Sequence, residues 1–394
     1  MRTHASMQVI VPMLIALLTF SSFGWHIGIN KPKQALAVSS LSAPVRRRVI
    51  TARRYTSNAN RDIWKQPQPI QARKMPLPKS PRKEVIGWLP GWDQQEGLKT
   101  FSANPQAVSQ VSPFWYGFGA GGEIQNLAGA GDAAVKDEAR RSERAIIPTV
   151  TNNFDGRKAS TVLGDPAKRA AHISGVVSMV ESSAYTGVDI DYEAMAAADR
   201  GAFSDFITQL GAELHARGKL LSVTVLPKVS EPGTWSGPQS LDYAAIGKAA
   251  DQVRIMAYDE HYPGGPPGPI APLDWVDKVL AFAVTQVPKE KLYLGVPSYG
   301  YDWAGSGNGK PLMLNNAVQL AADKGAQIQW DATSASPHFD YTEGGVAHTV
   351  WLENEQSLAA KVALTKRYDI AGIAIWRLGR QPDSTWKVLK EQLR

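Results

Sequence analysis

From Val85 onward, short apolar runs alternate with longer segments of helical periodicity. Eight runs have the pattern of buried strands, at residues 85–88, 110–115, 145–151, 187–193, 220–226, 252–258, 291–297 and 370–376. Between most of them apolar residues recur at helical spacing, as in residues 167–180, 200–217 and 273–287. Asp165 and Pro166 suit the first of these helices as an N-cap and a first-turn proline. The pattern predicts a (β/α)8 barrel, with a doubly wound sheet as the alternative.

The segment between the seventh and eighth predicted strands is too long for a single helix. Residues 304–360 contain two further short apolar runs, at 327–330 and 348–351. These runs predict a small α+β insertion over one rim of the barrel, which would lie between strands 7 and 8. Residues 84–394 therefore form the predicted folded unit.

The first thirty residues have the pattern of an export segment. Arg2 and His4 precede an apolar run over residues 7–23, and no charged residue follows before residue 31. That length can span the hydrocarbon core of a membrane as a helix, whereas Ala35-Leu36-Ala37 resembles a signal-peptidase site. We expect residues 1–30 to be a signal peptide or a membrane anchor. Either outcome predicts a location outside the cytoplasm, secreted or anchored at the cell envelope.

Residues 31–83 are rich in Pro, Gln, Ser and basic residues and show no apolar period, which predicts an extended or disordered linker. Residues 1–83 hold 15 Lys and Arg and one acid, Asp62, for a net charge of +14. The remaining residues hold 28 Lys and Arg against 35 Asp and Glu, for −7. The linker is either an arm that contacts an anionic cell wall or membrane surface or a plain spacer. Because the folded part is acidic, we expect no nucleic-acid partner.

Composition narrows the remaining classes. The chain has 394 residues, of which 43% are hydrophobic, and it has no cysteine. That apolar content excludes disorder throughout. The absence of cysteine excludes disulfides, thiolate zinc sites and a cysteine nucleophile, but it leaves the compartment open.

The most informative run is residues 187–193, Gly-Val-Asp-Ile-Asp-Tyr-Glu. Side chains alternate between the faces of a strand, so Asp189, Asp191 and Glu193 share one face, about 7 Å apart. Burial and mutual repulsion oppose their ionisation, and an acid catalyst must hold a proton near neutral pH. The alternatives are a solvated edge strand and a divalent metal site. The seven histidines are scattered, so we predict neither a metal nor a cofactor.

This segment resembles the fourth-strand signature of glycoside hydrolase family 18, the chitinase-like enzymes, written D-G-x-D-x-D-x-E. Residues 256–259, Met-Ala-Tyr-Asp, resemble the sixth-strand motif, and residues 372–376, Gly-Ile-Ala-Ile-Trp, resemble the eighth. Residues 256–303 are similar to a bacterial branch of spore-cortex and other peptidoglycan N-acetylglucosaminidases. Two departures are Thr186 for the first Asp and Thr151-Asn152-Asn153-Phe154 for the third-strand S-x-G-G.

The resemblance implies a retaining, substrate-assisted glycosidase acting on β-1,4 bonds of N-acetylglucosamine-containing polymers, peptidoglycan or chitin. Glu193 would be the general acid and base. Asp191 would accept a hydrogen bond from the acetamido N–H, and Tyr258 would bind the acetamido oxygen. Asp189 would share a proton with Asp191. The alternative is a non-catalytic, lectin-like barrel that binds the same polymers, and the third possibility is a metal-dependent hydrolase.

The expected substrate-binding residues come from the same motifs and from the tryptophans after residue 84. Sugar rings stack on aromatic faces, so tryptophans near strand ends are candidate subsite walls, Trp92 among them. The full set that we predict is Met256, Asp259, Trp376, Trp88, Trp115 and Trp303. We expect the protein to act as a monomer on a polysaccharide partner.

Overall fold

The computed structural model describes residues 83–393. The predicted export segment over residues 1–30 lies outside the described residues, as does the predicted linker over residues 31–83 apart from its last residue. Within residues 83–393, no helix has both the length and the apolar character needed to cross a membrane.

Residues 83–393 contain fifteen strands. In chain order they are β1 Glu84–Pro90, β2 Gln110–Phe118, β3 Ile124–Asn126, β4 Ala145–Ile146, β5 Thr149–Thr151, β6 Gly187–Asp191, β7 Leu220–Val225, β8 Gln252–Ile255, β9 Leu292–Pro297, β10 Tyr299–Ala304, β11 Lys310–Met313, β12 Gln329–Asp331, β13 Ser336–Glu343, β14 Val346–Leu352 and β15 Gly372–Trp376. The eight predicted runs all correspond to strands in this set.

The same residues contain eleven α-helices. They are α1 Gln94–Ala103, α2 Ala133–Ser142, α3 Gly156–Gly164, α4 Pro166–Ser182, α5 Arg200–His215, α6 Ser236–Gln239, α7 Tyr243–Ala249, α8 Leu273–Gln286, α9 Leu314–Asp323, α10 Glu355–Arg367 and α11 Asp383–Gln392. Helix α4 begins as its sequence predicts: the Asp165 carboxylate accepts the Ala167 and Lys168 N–H groups, and Pro166 opens the first turn.

Eight parallel strands close into a barrel. Their order around the ring is β1-β15-β9-β8-β7-β6-β5-β2, and β2 pairs with β1 to complete it. Parallel neighbours need crossover connections, and helices supply them here. This closure confirms the predicted (β/α)8 barrel and rules out the doubly wound sheet, which would keep two open edges.

The third predicted strand is divided in two. Residues 145–151 form β4 and β5, which are separated by Ile147 and Pro148. Proline has no N–H to donate to a ladder, so the strand is interrupted there. The Pro148 carbonyl still accepts the Asp189 N–H at 2.9 Å, which keeps the two neighbouring strands in register.

The predicted insertion is a five-stranded antiparallel sheet, ordered β11-β10-β14-β13-β12, together with helix α9. The sheet occupies residues 299–352, whereas the sequence suggested about 304–360. Only Ser298 separates barrel strand β9 from β10, and its N–H donates to the Trp376 carbonyl at 2.9 Å. The insertion therefore begins directly at the mouth of the barrel, beside the end of β15.

Strand β6 divides two environments, as its alternation predicts. Val188 and Ile190 are fully buried in the core beneath the helices. On the same side the Tyr192 ring stacks on Phe206 with centroids 5.6 Å apart, and its hydroxyl lies 2.6 Å from His172 Nε2. The opposite face points into the barrel. An apolar group inside the barrel consists of Ile86, Trp88, Phe114, Tyr293 and Ala374.

Candidate active site

The three acids of the β6 segment are buried at the mouth of the barrel. Asp189 is 0% exposed, Asp191 3% and Glu193 5%. Asp189 and Asp191 lie within β6, and Glu193 follows two residues after its end. The buried positions exclude the alternative of a solvated edge strand.

Asp189 is held by a dense set of donors. Its carboxylate accepts hydrogen bonds from Ser222 Oγ at 2.6 Å, Thr149 Oγ1 at 3.0 Å and Thr224 Oγ1 at 3.0 and 3.1 Å. Arg254 Nη1 lies 3.2 Å from Oδ2. Donors of this kind stabilise the ionised form. Among the described residues Asp189 has no hydrogen bond to Asp191, and the shared proton between them stays a prediction.

The donor set also bears on the metal alternative. Both Asp189 oxygens are already engaged by hydroxyl groups and a guanidinium. No group of three His, Asp or Glu side chains within residues 83–393 is arranged to hold a metal ion. Asp189 is therefore poorly placed to bind a metal ion, because both of its oxygens already have donors.

Asp191 has far fewer partners than Asp189. Its Oδ1 atom is buried and has no hydrogen-bond partner within residues 83–393. Burial raises its pKa well above the ordinary value, and the charges of Glu193 and Asp189 add to this, while Arg254 opposes it. An acceptor of this kind costs free energy unless a ligand donor reaches it.

Glu193 has the electrostatics of a general acid. Burial, followed by the charge of Asp259, raises its pKa to about 8. At neutral pH its carboxyl group is therefore mostly protonated. No described side chain forms a hydrogen bond with that carboxyl group, whereas the Glu193 backbone is paired with the Asn152 amide at both its N–H and its C=O.

The sixth-strand motif contributes a second group to the site. The chain leaves the sheet after β8, because the N–H groups of Ala257 and Tyr258 donate to carbonyls two residues earlier, both at 2.8 Å. Burial and the charges of the neighbouring acids, Asp191 first, raise the pKa of Tyr258 well above its usual value. Tyr258 is therefore close to the acidic column. Met256 is buried at 5% exposure.

Asp259 is connected to the insertion. Its Oδ1 accepts the hydroxyl groups of Tyr299 at 2.6 Å and Tyr301 at 3.0 Å, both from strand β10. Burial raises the Asp259 pKa to about 6, and the two tyrosine hydrogen bonds act in the opposite direction. Both tyrosines lie within residues 256–303, the segment that resembles the bacterial branch, and the sequence alone assigns them no role. The separation of at least 40 residues hides the contact.

Trp376 ends β15 at the floor of the mouth and is partly buried. Aromatic rings surround it edge-to-face, with centroid distances of 5.1 Å to Phe114, 6.0 Å to Trp88 and 6.4 Å to Trp92. Trp92 is 48% exposed, so it offers an open ring face beside Trp376. Trp88 is 1% exposed and supports Trp376 from below, with its Nε1 3.4 Å from Asp189.

Two further predicted sugar contacts are, like Trp88, buried rather than open to a sugar. Trp115 is 0% exposed, its ring lies 6.0 Å from that of Tyr185, and its Nε1 donates to Gln94 at 2.6 Å. It faces the helices, because its neighbour Phe114 occupies the inward position. Trp303 is 1% exposed and packs against Tyr301 at 5.5 Å. Both rings are core residues that a sugar cannot reach.

Known proteins resemble this chain in sequence. The family described as Glycosyl hydrolases family 18 matches residues 87–381. The cortical fragment-lytic enzyme of Bacillus anthracis is 33% identical over 253 residues, which cover 62% of this chain and 59% of that protein. Two further curated relatives are covered over 66% and 70% of their length.

Solved structures show the same relationship. The spore cortex-lytic enzyme SleL of Bacillus cereus superposes with a TM-score of 0.74 at 28% identity, covering 79% of this chain and 74% of that one. The chitinase of Chromobacterium violaceum superposes with a TM-score of 0.73 at 31% identity, covering 79% and 99%. The chain therefore belongs to glycosyl hydrolase family 18, a family of glycosidases.

Proposed function

We propose that the protein is a retaining glycosidase that cleaves β-1,4 bonds of N-acetylglucosamine-containing polymers, peptidoglycan or chitin, by substrate-assisted catalysis. The observation that carries this proposal is the pair formed by Glu193 and Asp191. One is a buried acid whose pKa of about 8 keeps it protonated at neutral pH. The other is a buried acceptor without a partner among the described residues.

In the first step Glu193 gives its proton to the glycosidic oxygen as the bond to the anomeric carbon breaks. The acetamido carbonyl oxygen of the substrate attacks the same carbon from the opposite face and forms an oxazolinium ion. In the second step Glu193, now ionised, takes a proton from a water molecule whose oxygen attacks the anomeric carbon. The bond between that carbon and the acetamido oxygen breaks, which opens the oxazolinium ring and restores the acetamido group. Two inversions leave the configuration retained, and no carboxylate of the protein forms a covalent bond.

Asp191 suits the role of orienting the acetamido group. The N–H of that group would supply the donor that Oδ1 lacks, and the hydrogen bond would strengthen as positive charge develops on the oxazolinium. Asp189, which Arg254 and three hydroxyl groups hold in place, lies beneath Asp191, and its carboxylate charge helps to raise the pKa of Asp191. Tyr258 would donate to the acetamido oxygen.

Trp376 and Trp92 would bind the sugar rings by stacking, with Asp259 and Met256 lining the wall beside Tyr258. The names of the relatives include cortex-lytic enzymes and a chitinase, and both polymer classes supply the acetamido sugar that this chemistry requires. We also propose that residues 1–30 direct export and that the basic linker contacts an anionic envelope surface. Both proposals rest on sequence alone.

The test is product analysis of the full chain on peptidoglycan sacculi and on chitin oligomers. We expect fragments that end in reducing N-acetylglucosamine, released as the β-anomer. Glu193→Gln should lose at least about 10²-fold in kcat while still binding a chitin oligomer. Undiminished hydrolysis by this variant would refute the assignment of the acid.

The lectin-like alternative makes the opposite prediction. It requires sugar binding by the wild-type protein with no product from either polymer, and no change on Glu193→Gln. Loss of activity with a chelator would instead favour the metal-dependent alternative.

A further inference from the structure

We propose that Asn152 is a positioning residue, whose side chain holds the backbone of Glu193 in place of a missing pair of sheet hydrogen bonds. This inference rests on the proposed role of Glu193 as the general acid. Asn152 lies in the third-strand segment that departs from the family pattern, and none of the roles discussed above belongs to it.

The contact continues the pairing of β5 and β6. The ladder between these strands ends at the pair Thr151 and Asp191. Beyond it, Asn152 Nδ2 donates to the Glu193 carbonyl at 2.6 Å, and Asn152 Oδ1 accepts the Glu193 N–H at 3.0 Å. A carboxamide carries a donor and an acceptor in one plane, as a peptide group does. The side chain therefore acts as one more rung of the sheet.

The position needs this support because the chain turns away immediately afterwards. Ala194 adopts a φ of 56°, which removes the following residues from the direction of β6. Glu193 is 5% exposed, so its N–H and C=O would be left without partners if Asn152 were absent. The carboxyl group has no hydrogen bond to a described side chain, so the backbone largely determines where it points.

The segment after Asn152 is itself strained. Asn153 and Phe154 have φ angles of 55° and 58°, in the left-handed region that a bulky residue such as phenylalanine rarely adopts. Such conformations persist only where the surroundings enforce them, and they concentrate at functional sites. Asn152 is 0% exposed and pairs across to Glu193, so it provides that enforcement.

The test uses the full chain with Asn152→Ala and a matched control. Small displacements of a reacting group cost about 10²-fold in rate, so we expect kcat to fall by about that factor while KM stays within about twofold. Hydrogen–deuterium exchange should become faster in peptides that contain the Glu193 amide, which does not depend on activity.

Trp115→Phe is the control. Trp115 is 0% exposed on the side of β2 that faces the helices, and its Nε1 donates to Gln94 Oε1 at 2.6 Å. Loss of this hydrogen bond should lower the free energy of unfolding by a comparable amount and leave kcat and the Glu193 exchange unchanged. An equal fall of kcat in both variants would overturn the positioning role, as would unchanged kcat and exchange in Asn152→Ala.

Two further outcomes separate this inference from the proposed function. If the wild-type protein hydrolyses neither polymer, the proposed function fails and the exchange experiment alone decides the backbone contact. If Asn152→Ala does not fold, Asn152→Asp replaces it. The aspartate keeps the acceptor for the Glu193 N–H but loses the donor to the carbonyl when ionised, so exchange and kcat should lie between those of wild type and complete loss. Wild-type values for both would overturn the inference.

Discussion

Arg254 Nη1 lies 3.2 Å from Oδ2 of Asp189, and both side chains are completely shielded from solvent inside the barrel. Arg254 also donates to Ser112 at 2.6 Å and Gln252 at 2.9 Å, so its guanidinium is fixed in place. This single cation lies beneath three carboxyl groups. Asp189 therefore has a cationic partner, whereas burial raises the pKa of both Asp191 and Glu193, the two acids above it.

Arg254→Met should strongly destabilise the protein. The variant leaves the Asp189 carboxylate buried without its counter-ion, and breaking a buried pair in this way costs about 3–5 kcal/mol. The measurement is the free energy of unfolding from urea denaturation. Adding Asp189→Asn to Arg254→Met should restore part of that loss. A single variant as stable as wild type would mean that the pair contributes little.

The pKa of Glu193 sets a pH limit on activity. The acid must be protonated to act, so kcat/KM should fall as the pH rises through about 8. A pH–rate profile on a chitin oligomer measures this limb. A profile that stays flat to pH 10 would contradict the assignment of Glu193 as the titrating acid.

The raised pKa of Glu193 should also make the free energy of unfolding depend on pH. Because the folded-state pKa lies above the ordinary value of 4.5, the stabilising contribution is complete below that value and is lost as the pH rises toward about 8. Glutamine does not ionise, so the Glu193→Gln variant does not lose stability in this way as the pH rises. Relative to wild type, its free energy of unfolding should therefore rise by roughly 1.4 kcal/mol per pH unit between about pH 5 and 8. Parallel stability curves for the two proteins would contradict this.

Removing one tyrosine hydroxyl should change the titration of Asp259. The Tyr301 hydroxyl stabilises the Asp259 carboxylate, so Tyr301→Phe should raise the Asp259 pKa above its value of about 6. The measurement is a carbon-13 NMR titration of the carboxyl group, assigned with Asp259→Asn. Tyr341→Phe is the control, because its hydroxyl group donates to Asp302 at 2.7 Å instead. Equal shifts in both variants would point to a general change in the insertion.

Substitution of Trp92 should weaken sugar binding, whereas substitution of Trp115 should lower stability. Trp92→Ala removes a half-exposed ring beside Trp376, so KM for a chitin oligomer should rise by about tenfold, equal to about 1.4 kcal/mol, with little change in unfolding. Trp115→Phe leaves the buried Gln94 acceptor unpaired and should cost about 1–3 kcal/mol of stability without changing KM. KM is measured by steady-state kinetics, and the free energy of unfolding is measured by urea denaturation.

The spacing of apolar residues along the chain was enough to predict the barrel and the acids that face its interior. Alternation is a local property, so residues 187–193 show which side chains share a face without any knowledge of the neighbouring strands. The position of Trp115 could not be obtained in this way. All nine residues of β2 are buried, and a strand that is covered on both faces has no apolar alternation from which to read its inward side.

The contacts that complete the site could not be predicted from the sequence for a different reason. Asn152 pairs with Glu193 across 41 residues, and Tyr301 reaches Asp259 across 42. Such pairs exist only once the strands close into a ring and the insertion folds over its rim. Thr151-Asn152-Asn153-Phe154 could be recognised from the sequence as a departure from the family pattern, but its partner could not.

The hydrogen bonds from Tyr299 and Tyr301 of β10 to Asp259 connect the insertion to the candidate active site. The insertion is therefore not an independent addition to the barrel. A homologue engineered without the insertion would lose two donors that hold the Asp259 carboxylate, and the charge of that carboxylate adds to burial in raising the pKa of Glu193. Exchanging the insertion between relatives to change substrate preference would therefore also change the pH dependence of activity. Keeping Tyr299 and Tyr301 in the exchanged segment would avoid that change. In this protein, the insertion and the acidity of Glu193 are therefore inherited together.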